Sequence, residues 1–188
     1  MARGQGESKR QGELRVAALG DRLPWVVLRP PVVYGPRDAA TRFLLRQARA
    51  PLVPVPWTRR PLSLIHVHDL VEALVLAARS PLSQRFLPVE GPNRLDTDEF
   101  VRSLAAACGR SARLVRVPLA AVWPIALGCD VAARLRGRPG ILSRDKLRDL
   151  RAPGWVADPV PSREALGFVP RIPTSTGFRE TAREEGLV

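Results

Sequence analysis

The run Trp25-Val26-Val27-Leu28, fenced by Pro24 and Pro30, constrains this chain more than any other segment. It is apolar without alternation and too short for a helix. Such a run suits a parallel strand covered on both faces. Parallel strands need long crossovers, usually helical, so the surrounding sequence should alternate strand and helix. It does, and the class expected is α/β.

The pattern predicts helices over Glu7–Leu19, Ala39–Ala50, Leu70–Arg79 with Asp69 as its cap, and Thr97–Cys108 with Gly109 just beyond its end. A long apolar helix, Leu119–Arg136, and shorter ones at Ser143–Leu150, Ser162–Leu166 and Thr174–Glu185 follow. Strands are expected at Leu52–Val55, Leu62–Val67, Phe86–Val89 and Leu114–Val117, while Pro30–Asp38 reads as a loop. A doubly wound fold cradles its nucleotide on a glycine-rich turn between the first strand and helix. Here Gly4-Gln5-Gly6 has no strand before it, so these residues supply no such turn.

The 188 residues are 45% hydrophobic, enough for a sizeable core. The net charge of +12 invites a nucleic-acid reading. The basic residues are nearly all arginine, scattered between apolar residues, with no basic stripe, so no nucleic-acid partner is expected. Cys108 and Cys129 sit far apart in apolar patterns. They make neither a disulfide framework nor a metal quartet, and buried reduced thiols in a cytoplasmic protein are the expectation. The polar start, Met1–Gln11, has no apolar leader core. His66-x-His68 is a possible ligand pair with no third ligand in view, so no metal is expected. A Ser63–His66–Asp69 triad would lack a nucleophile elbow.

Four segments, in order, resemble the extended short-chain dehydrogenase/reductases, the NAD-dependent epimerase/dehydratase family. Gly6–Glu13 (GESKRQGE) is similar to the family's Tyr-x-x-x-Lys helix, Leu28–Asp38 (LRPPVVYGPRD) to its RPxxVYGP loop, and Leu64–Ala73 (LIHVHDLVEA) to its HVxDLxxA segment. Gly154–Thr181 is similar to the terminal pattern, carried by Gly167, Phe168, Pro170 and Gly177–Thr181. The resemblance implies the C-terminal part of a Rossmann-type parallel sheet, about residues 7–80, and a small substrate-binding subdomain, about residues 81–188. The nucleotide-binding strands would be missing, leaving the Trp25–Leu28 edge unpaired.

By the same resemblance the cofactor is NAD or NADP. Lys9 matches the lysine that bonds the nicotinamide ribose and lowers the pKa of a tyrosine four residues earlier. That tyrosine position is Gln5, whose amide cannot act as a base, so the catalytic role of Lys9 is vestigial. Pro30, Pro31, Val32 and Val33 match the loop against the nicotinamide. Tyr34, the only tyrosine, lies on that loop rather than four before Lys9, and packing is its expected role. Nucleotide-sugar members carry arginine where this chain has Leu62, with Arg60 two residues away. The likeness is therefore nearer the members resembling 3β-hydroxysteroid dehydrogenases, which act on apolar hydroxy compounds. The expectation is a remnant of an oxidoreductase or epimerase acting on a small hydroxyl or carbonyl substrate, inactive as this chain. The rival readings are a non-catalytic module pairing with itself or a complementing chain, and a peripheral membrane protein using Val117–Arg138.

Overall fold

The computed structural model describes residues 5–57, 59–118, 154 and 156–188. The expected helices at 119–136 and 143–150, the membrane-surface segment and Cys129 lie outside the described residues. The elements run α1 (Gln5–Ala17), a 3₁₀ turn (Gly20–Arg22), β1 (Val26–Arg29), β2 (Val32–Tyr34), α2 (Ala39–Ala48), β3 (Leu52–Pro56), β4 (Pro61–His66) and α3 (Val67–Arg79). They continue with β5 (Arg85–Pro88), β6 (Arg94–Asp96), α4 (Thr97–Ala107), β7 (Arg113–Val117), α5 (Val160–Leu166) and α6 (Thr174–Glu184).

The strands form three small sheets: β1 with β5, β2 with β4 and β6, and β3 with β7. The pairs β1–β5, β2–β4 and β3–β7 are parallel, and β4–β6 is antiparallel. The fold is α/β, as the apolar runs require. The β1–β5 pairing joins residues on either side of position 80, where the two expected parts meet.

Two apolar clusters hold the elements together. Tyr34, Leu45, Leu64, Leu104, Phe178 and Ala182 centre one, between α2, α4 and α6. Ile65, Ala73, Val89 and Phe168 centre the other, with Leu28, Val33, Leu70, Leu76 and Leu166 packed around them. Gly91 lets the chain leave β5 flush against β4, since its N–H bonds the Leu64 carbonyl at 2.8 Å and a Cβ there would meet that oxygen at 2.2 Å. Gly109, with φ +66°, closes α4, as the sequence predicts.

Three expectations are corrected. Residues 32–34 are a strand, not loop: once past Pro30 and Pro31, the β-branched Val32 and Val33 pair with Leu64 and Ile65. Asp69 does not cap α3. The cap is His66, whose side chain accepts from the His68 N–H, and Asp69 lies within the first turn, 2% exposed. Its carboxylate instead accepts the backbone N–H groups of Arg171 (3.1 Å) and Ile172 (3.2 Å), tying the terminal segment to α3. Finally, the Trp25–Leu28 run is half-buried rather than buried. Among the described residues β1 has one partner, β5, and its other edge is open.

Candidate functional site

The helix carrying Lys9 is polar along most of its length and meets the rest of the protein through a charged fork. Glu13 accepts Arg29 Nε at 3.0 Å and Nη2 at 2.8 Å. The Arg29 guanidinium lies over the Phe86 ring, 4.4 Å from its centroid, so the fork is braced by the β1–β5 pair. Arg29 ends β1, and Pro30 and Pro31 follow directly. Glu13 lies four residues after Lys9, on the same helical face. The fork therefore brings the Lys9 face to the end of β1 where the proline loop begins. Lys9 and Pro30 are exposed and Pro31 is half-buried. Gln5 opens the helix, one further turn back.

Val32 and Val33 diverge. Side chains alternate along a strand, and Val32 packs on the α4–α6 cluster while Val33 packs on the α3 cluster. Of the four residues matched to the nicotinamide loop, Pro30 is exposed and Pro31 half-buried, while Val32 and Val33 serve as half-buried packing. Tyr34 belongs to the core. Its ring packs between His66 (5.2 Å) and Phe178 (4.6 Å), it is 4% exposed, and burial raises its pKa above the ordinary phenol value.

His66 is buried and His68 exposed, with ring centroids 5.0 Å apart. Burial first, and then the His68 ring, lowers the His66 pKa. No group of three or more metal-capable side chains occurs among the described residues. Ser63 shares no site with His66, three residues on and pointing to the other side of β4. It donates instead to the buried carboxylate of Glu90. Cys108 is a free, buried thiol whose pKa is raised by burial.

Sequence reasoning missed a second polar centre. Glu90, 3% exposed, accepts Arg94 Nε and Nη2 at 2.8 and 3.0 Å, and Arg94 Nη2 also donates to the Ala157 carbonyl at 2.8 Å. Nearby, the buried Asp98 carboxylate takes both Arg59 (3.1 Å) and Arg116. Arg59, Arg60, Pro61, Arg94, Leu95 and Asp96 line a hollow of about 350 Å³. Arg60, two residues from the position where Leu62 replaces the nucleotide-sugar members' arginine, is at this hollow. The only sequence signal was an acidic residue closing an apolar strand ahead of Gly-Pro, which is too common to single out Glu90.

No family model matches the chain. Over 161 residues it is 30% identical to the ceramide reductase of Caulobacter vibrioides, covering 85% of this chain and 50% of that protein. It is 29% identical over 185 residues to the UDP-glucose 4-epimerase of Vibrio cholerae, covering 95% of this chain and 52% of the relative. Among solved structures, the UDP-glucuronic acid 4-epimerase of Bacillus cereus, in complex with UDP-glucuronic acid and NAD, superposes with a TM-score of 0.65 at 18% identity, over 96% of this chain and 52% of that one. The chain spans about half the length of the curated relatives it matches. The ordered motifs, the parallel α/β fold and these likenesses are together consistent with a partial chain of the extended short-chain dehydrogenase/reductase family.

Proposed function

We propose that this chain is the substrate-side half of an NAD(P)-dependent oxidoreductase or epimerase acting on a hydroxyl or carbonyl compound, and that it turns over nothing by itself. The reading rests on one observation: the Glu13–Arg29 fork brings the Lys9 helix face against the start of the Pro30–Pro31 loop. Those groups fit one side of a nicotinamide ribose. An exposed ammonium can hold ribose hydroxyls, and a proline loop offers a rigid apolar wall to a flat ring. They do not fit a dinucleotide diphosphate, for which a backbone N–H cradle is needed. When bound, the nicotinamide supplies a two-electron hydride exchange with the substrate carbon. The general base for the hydroxyl proton is what this chain lacks, since the amide at Gln5 neither takes nor gives a proton at neutral pH.

Two features favour an apolar substrate over a nucleotide sugar: Leu62 at the position of the sugar-nucleotide arginine, and the likeness to a ceramide reductase.

Isothermal titration with NADH and NADPH, on protein shown by circular dichroism to be folded, tests the proposal. The chain alone should bind neither at micromolar strength. Joined in one polypeptide to the half of the Caulobacter reductase that it does not match, it should bind one of them, and Lys9→Met should weaken that binding about tenfold. Adding Gln5→Tyr to the joined protein should give measurable turnover where the unmodified fusion has none. Turnover by the chain alone, or a folded fusion that binds neither nucleotide, refutes the reading.

A further inference from the structure

One face of the β3–β7 ribbon packs inward and the other is exposed. Side chains alternate along each strand. Val53 and Val55 are buried, and Arg116, in register with Val55, reaches Asp98 on α4. The opposite face carries Leu52, Pro54 and Pro56 on β3, and Arg113, Val115 and Val117 on β7. The register sets Leu52 beside Arg113 and Pro54 beside Val115. Leu52 is 58% exposed and Val115 43%. Trp57, the residue after β3, is 66% exposed.

The charge sits at one end of this ribbon. The strands are parallel, so both begin there, and the chain enters them through Arg49 and Arg110. The last turns of α2 and α4 meet at that end, where Cys108 Sγ donates to the Leu45 carbonyl at 3.7 Å. Arg49, Arg110 and Arg113 are all exposed, and none of them pairs with a carboxylate among the described residues. The outer edge of β3 is closed to another strand. The Pro51 carbonyl accepts the Arg113 N–H at 3.0 Å, so positions 51, 53 and 55 turn their backbone groups to β7 and positions 52, 54 and 56 turn theirs outward. Two of those three outward positions are proline, which has no N–H to donate.

We propose that the exposed face of the β3–β7 ribbon docks on an anionic lipid bilayer. Leu52, Pro54 and Val115 enter the headgroup boundary, and Arg49, Arg110 and Arg113 meet the lipid phosphates. Several observations select this occupant. Unpaired arginines at the end of an apolar stripe complement an anionic surface, and the net charge of +12 adds to the attraction. The same charge opposes a second copy of the chain. The proline edge opposes a protein that would add a strand. A lone tryptophan beside the stripe suits a headgroup boundary and falls short of the stacking platform that a single-stranded nucleic acid needs. No helix among the described residues is long and apolar enough to cross a membrane, so the contact is made at the surface. The inference stands apart from the nucleotide reading, and the test of one leaves the other untouched.

The test is co-sedimentation of the full chain with vesicles of phosphatidylcholine containing about 30% phosphatidylglycerol, against vesicles of phosphatidylcholine alone. The chain should bind the anionic vesicles and leave the neutral ones, and raising salt from about 0.1 to about 0.5 M should release it. Arg49→Gln, Arg110→Gln and Arg113→Gln should each weaken binding about fivefold, and together about a hundredfold. Leu52→Thr with Val115→Thr, which keeps strand propensity while removing apolar surface, should weaken it at least tenfold. Circular dichroism checks the fold of every variant, and if the threonine pair loses the parent spectrum the arginine set decides alone. No binding to anionic vesicles, equal binding to neutral ones, or binding that folded variants of both sets retain would each overturn the proposal. Light scattering that shows a dimer dispersed by these same variants would assign the face to a second copy and also overturn it.

Discussion

Gly177 lies in α6 and faces the buried pair Tyr34 and His66. By helix propensity alone, Gly177→Ala should stabilise the protein by about 1 kcal/mol. The packing argues the opposite. A Cβ at this position would sit 2.6 Å from the Tyr34 hydroxyl and 2.9 Å from both Tyr34 Cε2 and His66 Cδ2. Relief needs several tenths of an ångström of movement from rings that are 4% and 1% exposed and wedged against Phe178 and each other. Overpacking of a closed core costs about 1–3 kcal/mol, of which the propensity gain offsets about 1, so the expected net effect is a loss of up to about 2 kcal/mol. For a chain of this size that lowers Tm by up to about 8 °C. Thermal and urea unfolding followed by circular dichroism would measure it. In a Tyr34→Phe background the nearest clashing atom is gone, and the same glycine substitution should cost about 1 kcal/mol less. A Gly177→Ala protein more stable than the parent by the full propensity gain of about 1 kcal/mol would refute this picture of the α6–β2–β4 contact.

Asp69→Ala should cost about 2–4 kcal/mol in urea unfolding, because it strands two backbone N–H groups that now bond a buried carboxylate. Stability should also fall with acid. The His66 pKa is lowered below 6.5 by burial, so the unfolded chain takes up the proton first, and stability declines as pH drops below about 6.5 and levels off below the folded value. His66→Asn, which keeps a side-chain acceptor for the His68 N–H, should flatten that stretch of the stability–pH curve. Asp96→Ala removes the capping box formed with Glu99 at the start of α4 and should cost about 1 kcal/mol by the same unfolding assay.

The fold was legible where a local rule decides it. Apolar runs announced β1, β3, β4, β5 and β7, and periodicity announced all six described helices to within a few residues. The exceptions share a cause. Whether Val32–Tyr34 is loop or strand depends on β4 lying alongside, thirty residues later in the chain. Asp69 satisfies the spacing of a helix cap, yet its partners are backbone groups at 171 and 172, which no local pattern reveals. At the candidate site the sequence offered Lys9 and the proline loop, but not the Glu13–Arg29 fork that unites them, nor the Glu90–Arg94–Ser63 centre. Each needs two segments to meet before either residue has a role.

The three parallel pairings also interleave along the chain. β1 waits for β5 and β3 for β7, partners about sixty residues apart, while β2–β4 closes within the first of these spans and straddles the start of the second. Only the whole span from β1 to β7 therefore contains all three parallel pairings. During synthesis at about 5–20 residues per second, the apolar β1 run is exposed for several seconds before its partner emerges. Folding should be slow, all-or-none among these strands, and sensitive to anything that captures β1 in the interval.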